Sequence, residues 1–256
     1  MKTVILAGGR GTRIAEESHP RPKPMVTIGN MPILWHIMKM YDAHGVRDFI
    51  ICLGYRGYTI KEFFANYALH RSHVVTYDMS KDTVDFHEPG AEPWRVTLVE
   101  TGDSTQTGGR IMRIAPFVHD EEAFCLTYGD GLSDIDLSAE MAFHRAHGGL
   151  ATVASVAPPG RFGTMTIEKE RVTQFVEKPA EGGSFINGGF FVLSPRVIDY
   201  ITDDQTVWEH QPLQRLAAEG KLFAFQHSGF WQPMDTMRER ELLEGLWASG
   251  APWKKW

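Results

Sequence analysis

The sequence predicts an α/β protein built as three layers, α/β/α, around a mainly parallel mixed sheet. Three observations carry this. Short apolar runs alternate with helix-period segments through the first half. The first apolar run, residues 4–7, passes straight into a glycine-rich turn at Gly8, Gly9 and Gly11. The 256 residues, 43% of them hydrophobic, are enough to bury a large core.

The elements follow in order. Pro32 opens a helical segment over 33–41, and Gly45 closes it. Residues 48–53 read as a strand that meets Gly54, and 58–68 as a helix. Residues 73–77, 83–87 and 94–100 are short β segments broken by Pro89, Gly90 and Pro93. Together they predict a small β-rich excursion over about 70–100. Gly108-Gly109-Arg110 reads as a turn entering a helix, and 123–127 as another buried strand. A helix over 137–147 ends at Gly148-Gly149. Further strands are expected at 151–156, 164–168, 172–177 and 186–193, and helices at 207–219 and 234–247. With no repeat, low-complexity tract or linker, residues 1–256 are expected to form a single domain, about 234–256 being its C-terminal helix and tail. Pro158-Pro-Gly160 and Glu181-Gly-Gly183 read as loops over a site.

Composition narrows the function. The formal charge of −6 argues against general affinity for nucleic acid. An anionic substrate would need cations gathered locally. Arg10, Arg13, Arg21 and Lys23 supply such a cluster, diluted by Glu16 and Glu17. Cys52 and Cys125 lie in apolar runs and read as buried thiols, with neither a disulfide framework nor a metal-ligand spacing. The opening apolar run is too short for a signal peptide, and no stretch reaches membrane-spanning length. A cytoplasmic protein with no membrane partner is expected.

A strand ending in a glycine turn aims several backbone N–H groups at one point, which is how proteins hold phosphate. The third glycine of the dinucleotide fingerprint is missing, Ile14 standing there instead, and so is the Gly-Lys-Ser/Thr of a P-loop. Arg21-Pro-Lys-Pro24 adds a lysine in a stiff frame. Asp130, in Tyr128-Gly129-Asp130-Gly131, follows a strand, where ligands sit in open α/β sheets. It reads equally as a metal ligand or as a turn aspartate bonding its own backbone. Asp235 is a candidate second ligand, although an aspartate just before a helical segment is commonly an N-cap. Glu177-Lys178-Pro179 can offer a carboxylate to sugar hydroxyls and an ammonium to phosphate, or be a plain charged turn. Asn187-Gly188-Gly189 interrupts a strand, as a sugar contact or as a simple bulge. In the hydroxyl-rich stretch 101–110, Arg110 is placed near anionic substrate. The eleven histidines include no His-Glu-x-x-His spacing.

These motifs resemble those of the glucose-1-phosphate cytidylyltransferases, within the sugar-phosphate nucleotidyltransferase superfamily. They are Leu-Ala-Gly-Gly-x-Gly-Thr-Arg with Lys23-Pro-Met25, the Pro32–Tyr41 run, Thr101-Gly-Asp-Ser104 with Thr107-Gly-Gly-Arg110, Thr127-Tyr-Gly-Asp-Gly131, Pro159-Gly-Arg-Phe-Gly163, Asn187-Gly-Gly-Phe-Phe191 and Gly229-Phe-Trp-Gln-Pro-Met-Asp-Thr236. The resemblance covers nearly the whole chain and implies a Rossmann-like nucleotidyltransferase fold. It implies that CTP and glucose 1-phosphate give CDP-glucose and pyrophosphate by in-line attack with Mg²⁺. It places Gly8, Gly9, Gly11, Thr12 and Arg13 on the triphosphate, with Leu6, Ala7 and Arg10 beside them. Lys23 lies near the α-phosphate and shares the catalytic role with Arg13. Asp130 and Asp235 hold Mg²⁺, Ser104 and Arg110 lie near the nucleotide, and Glu177, Lys178 and Asn187 face the sugar phosphate. Tyr128, Gly129 and Gly188 complete the substrate site.

The alternatives are the same chemistry with dTTP or UTP, a nicotinamide-dependent sugar oxidoreductase and a non-catalytic nucleotide-sugar sensor. The resemblance also implies a homo-oligomer, trimer-based or hexameric. The 70–100 region and the tail at 247–256, with its exposed-looking Trp253 and Trp256, are the candidate contacts.

Overall fold

Seven strands pair into the central sheet: β1 (Thr3–Leu6), β2 (Asp48–Leu53), β3 (Arg95–Glu100), β4 (Phe124–Tyr128), β5 (Ala151–Val156), β6 (Ile186–Leu193) and β7 (Leu222–His227). The computed structural model describes residues 1–9, 21–87, 90–157, 164–168, 171–176 and 185–256. The spatial order is β7-β5-β6-β4-β1-β2-β3. Strand β6 runs antiparallel to β5 and β4, and the other pairings are parallel. The inner strands are near-continuous apolar runs because both faces are covered. Ile5, Ile51 and Phe190 face one core with Leu34 and Tyr41 of helix α1 (Ile33–Ala43). Their neighbours Val4, Ile50 and Phe191 face the other, with Ile111 of α3 (Thr107–Arg113) and Leu216. This alternation makes the three layers.

Helix α2 spans Gly57–Ala65, α4 Leu137–His147, α5 Gln211–Ala218 and α6 Met237–Ser249. Asp136 caps α4 by accepting from the Ala139 N–H at 2.9 Å, and Gly148 leaves it in the left-handed region at φ 66°.

The topology locates the site. The chain passes from β1 to β2 and on to β3 on one side, then crosses to β4 on the other side of β1. The crevice beyond the carboxyl ends of β1 and β4 is therefore the switch point, where ligands bind in open α/β sheets.

Several expectations need correction. The helix expected over 58–68 breaks at Asn66, whose φ of −102° and ψ of 19° separate α2 from a short helix at Tyr67–Arg71. The β-rich excursion is narrower than 70–100: it is the hairpin of Val74–Asp78 and Thr83–His87. Residues 95–100 belong to the main sheet as its edge strand, Val96 and Leu98 packing on the core. Pro93 marks the entry into that strand rather than the end of the excursion. Gly108 and Gly109 lie inside α3, not in a turn before it. Helix α5 starts only at Gln211, with Pro212 in its first turn. Strand β7 was not foreseen.

The tail is also different. Trp253 is only 1% exposed, packed within its own chain. Its Nε1–H donates to His36 Nδ1 at 3.4 Å, and Trp256 meets the Trp35 ring edge-on at 5.9 Å. Apolar segments at a chain end look exposed in sequence because their packing partners are distant along the chain.

Cys52 and Cys125 are both buried free thiols. Among the described residues, no helix is long and apolar enough to cross a membrane.

Candidate active site at the switch point

A cleft of about 570 Å³ opens at the switch point. Its floor is the end of β1: Leu6, Ala7, Gly8 and Gly9. Gly8 is explained by a close approach, since a Cβ there would lie 2.1 Å from the Arg110 guanidinium. That guanidinium is buried. It donates to the carbonyls of Gly8 (3.1 Å) and Leu53 (3.0 Å) and to Thr101 Oγ1 (2.7 Å). Arg110 thus lines the cleft and braces the glycine turn from behind. Desolvation lowers its pKa from the ordinary arginine value, opposed by Cys52 and Asp103.

Lys23 stands on a short 3₁₀ turn, Lys23–Met25, whose Pro24 nestles against Gly129. A Cβ at Gly129 would meet Pro24 at 2.9 Å, so the glycine after β4 lets the lysine turn approach. The Lys23 ammonium is bonded to Asp130 Oδ2 and, at 2.7 Å, to Asp235 Oδ1. Burial lowers the pKa of Lys23, but the two carboxylates more than offset this and leave it above its ordinary value.

The two aspartates lie 105 positions apart, and a two-stranded ribbon brings them together. Gly131–Ser133 pairs antiparallel with Trp231–Pro233, and the Met234 N–H donates to the Asp130 carbonyl at 2.9 Å. Asp235 then lies just before the start of α6, with Thr236 between them. The cap of that helix is Thr236, which forms a capping box with Glu239. The carboxylate of Asp235 accepts from Lys23, and its neighbour takes the N-cap role considered for Asp235.

The opposite wall is the start of β6. Asn187 Nδ2 donates to the Tyr128 hydroxyl at 3.3 Å, and Asn187 Oδ1 accepts from the Gly189 N–H at 2.8 Å. Gly189 sits at φ 82°, and the pairing of β5 with β6 shifts register between Val153 and Ser155. The bulge alternative and the inward-facing asparagine are therefore the same feature. Trp231 Nε1–H fixes the carbonyl of Gly188 at 2.7 Å. Ser104 is exposed and outside the cleft lining; the nearby wall is Thr105, Gln106 and Thr107. Arg10, Gly11, Thr12, Arg13, Glu177, Lys178 and the 159–163 motif lie outside the described residues. Thr105 and Thr107 fall in the hydroxyl-rich 101–110 stretch, which gave them no individual role, and Glu209, which bonds Thr107 and Tyr128, has no local signature.

Among the described residues, no group of three or more His, Cys, Asp or Glu side chains forms a metal cage. What exists is two carboxylates converging on one cation. That suits a divalent ion bound by one or two carboxylates with the remaining positions left to substrate phosphates.

Residues 2–232 match the Nucleotidyl transferase family. The chain is 59% identical over 257 residues to the glucose-1-phosphate cytidylyltransferase of Salmonella typhi, covering 100% of both chains. It is 44% identical over 259 residues to a probable glucose-1-phosphate cytidylyltransferase of Bacillus subtilis, again covering 100% of both. Its fold is similar to the crystal structure of HddC from Yersinia pseudotuberculosis, with a TM-score of 0.69 at 23% identity, over 96% of this chain and 99% of that one. The glycine turn, the switch-point cleft and the full-length likeness agree: the chain belongs to the nucleotidyl transferase family, among its glucose-1-phosphate cytidylyltransferases.

Proposed function

We propose that the chain transfers the cytidylyl group of CTP to α-D-glucose 1-phosphate, giving CDP-glucose and pyrophosphate. The single observation that supports the residue roles is the Lys23 ammonium held between Asp130 and Asp235, at the switch point and beside the glycine turn. The attacking phosphate oxygen is already ionised at neutral pH, so no side-chain nucleophile is needed. The barrier is the approach of two polyanions. At 4 Å, two unit charges repel by about 4 kcal/mol at a surface-like dielectric. Positioning and charge neutralisation therefore carry the catalysis.

In this reading Leu6 to Gly9 form the bed for the triphosphate, with Arg10, Gly11, Thr12 and Arg13 continuing it. Lys23 neutralises charge at the α-phosphate, and Arg13 assists. Asn187, with its amide fixed in both directions, presents the sugar wall with Gly188, Glu177 and Lys178. Ser104 and Arg110 belong to the nucleotide side, Arg110 by bracing Gly8. Enzymes of this family generally use a divalent metal, and Mg²⁺ is the ion proposed here. Asp130 and Asp235 would hold it, and when bound it would supply charge neutralisation on the phosphates. The whole of 1–256 acts as one catalytic domain. The reading includes a homo-oligomer, trimer-based or hexameric. It is supported by the hairpin at 74–87, which exposes Val74, Tyr77, Met79 and Val84. A monomer by light scattering would remove that part.

The test is turnover with CTP, dTTP and UTP against glucose 1-phosphate, followed by pyrophosphate release. CTP is expected to give the highest kcat/KM. Equal or higher values with dTTP or UTP would overturn the base assignment, and no release with any nucleotide would overturn the reaction.

A further inference from the structure

Glu209 lies just before α5, next to the fully buried Trp208, and outside the cleft lining. Its carboxylate nevertheless reaches both walls of the cleft. Oε1 accepts from the Tyr128 hydroxyl at 2.5 Å, and Oε2 accepts from Thr107 Oγ1 at 2.6 Å. We propose that Glu209 is a positioning residue that ties the sugar-phosphate wall to the nucleotide wall and so sets the distance between the two substrates. This rests on the reading above, in which Asn187 faces glucose 1-phosphate and Ser104 and Arg110, which flank the wall at 105–107, lie on the nucleotide side.

The donor directions make the link rigid. An ionised carboxylate only accepts, so both hydroxyl protons must point at Glu209. The oxygen of Tyr128 is then left to accept from Asn187 Nδ2 at 3.3 Å, and that of Thr107 to accept from the Trp208 N–H at 2.9 Å. Asn187 cannot flip, because its Oδ1 is held by the Gly189 N–H. Desolvation, and then the charge of Glu209, raise the pKa of the Tyr128 phenol, so it remains a donor at neutral pH. The chain of bonds runs unbroken from the start of β6, through the end of β4, to the first turn of α3. Hydrogen bonds to a charged acceptor are the strong kind, so displacing either wall breaks a costly contact.

The test is steady-state kinetics of the full chain with each substrate varied in turn. Glu209→Gln can accept only one of the two hydroxyl protons. It is expected to raise the KM for both glucose 1-phosphate and CTP, and to lower kcat/KM about tenfold or more. Tyr128→Phe should raise mainly the KM for glucose 1-phosphate, and Thr107→Val mainly that for CTP. The two losses should fall short of multiplying in the double variant, because both act through one carboxylate. Thr107→Ser, which keeps the hydroxyl, should restore the CTP value, a rescue that loss of packing does not predict. If Glu209→Gln fails to fold, the Tyr128 and Thr107 cycle decides alone. Wild-type KM values in Glu209→Gln, or losses that multiply in full, would overturn the proposal. A wild-type chain that makes no CDP-glucose would overturn the reaction assignment instead.

Discussion

Two acidic environments lie near strand β4, and they are handled in opposite ways. At its carboxyl end Asp130 and Asp235 share the Lys23 ammonium, and the pair is 29% and 32% exposed. On α4, Glu140 is 1% exposed, and its Oε1 has no hydrogen-bond partner among the described residues. Desolvation pushes its pKa up to about 8. The difference is the cation. Where a lysine lies between them, the carboxylates are paired with its ammonium. Where nothing balances the charge, burial makes the acid retain its proton. In the proposed function it is the partly exposed pair, and not the buried, perturbed carboxyl, that takes part in the chemistry.

Removing the cation breaks the first half of that comparison most severely. Lys23→Ala is expected to lower kcat by about a thousandfold, the scale of losing one charge-stabilising donor. Its thermal midpoint should move by no more than about 4 °C, because the partners are partly exposed. A steady-state assay beside a melting curve checks this, and unchanged turnover would take Lys23 out of the mechanism.

Asp130→Asn keeps the shape and removes one charge. The magnesium concentration needed for half-maximal turnover should rise about tenfold or more. A titration superimposable on that of the wild type would contradict the ligand role.

Glu140→Gln sharpens the second half. The folded state holds the Glu140 proton more tightly than the ordinary value of 4.5. Its contribution is therefore fully present below about pH 4.5 and is lost as the pH rises through about 8. The wild type should lose stability between pH 5 and pH 9 by on the order of a few kcal/mol. Glu140→Gln should flatten that slope, as read from thermal unfolding at a series of pH values. An equal slope in both proteins would show that another group carries it.

The smallest effect is expected at the cap. Thr236→Ala breaks the capping box that frees Asp235 from capping duty. It should cost about 1 kcal/mol, or about 2–4 °C by calorimetry.

Much of the fold was legible because its signals are local. Strand β2, helix α4 and strands β5 and β6 fall where apolar runs and glycine stops placed them. The glycine turn and Asp130 stood out in the same way, through residue types whose backbone demands are local. Strand β3 was misassigned because Pro93 suggested a break, while its membership depends on pairing with β2. Strand β7 went unseen because an edge strand beside β5 needs only modest hydrophobicity. Glu209 had no motif, since its meaning lies in reaching two walls that are remote along the chain.

The sequence by itself determined the alternation of strands and helices, the glycine turn and the residue types that suit phosphate and metal chemistry. These follow from periodicity, turn chemistry and charge, which act over a few residues. Only the tertiary structure decided that the Asp235 carboxylate turns to Lys23. It also decided that Arg110 braces Gly8 and that Trp253 is buried in its own chain. Each of those outcomes depends on an approach between segments up to hundreds of positions apart, and packing sets that approach.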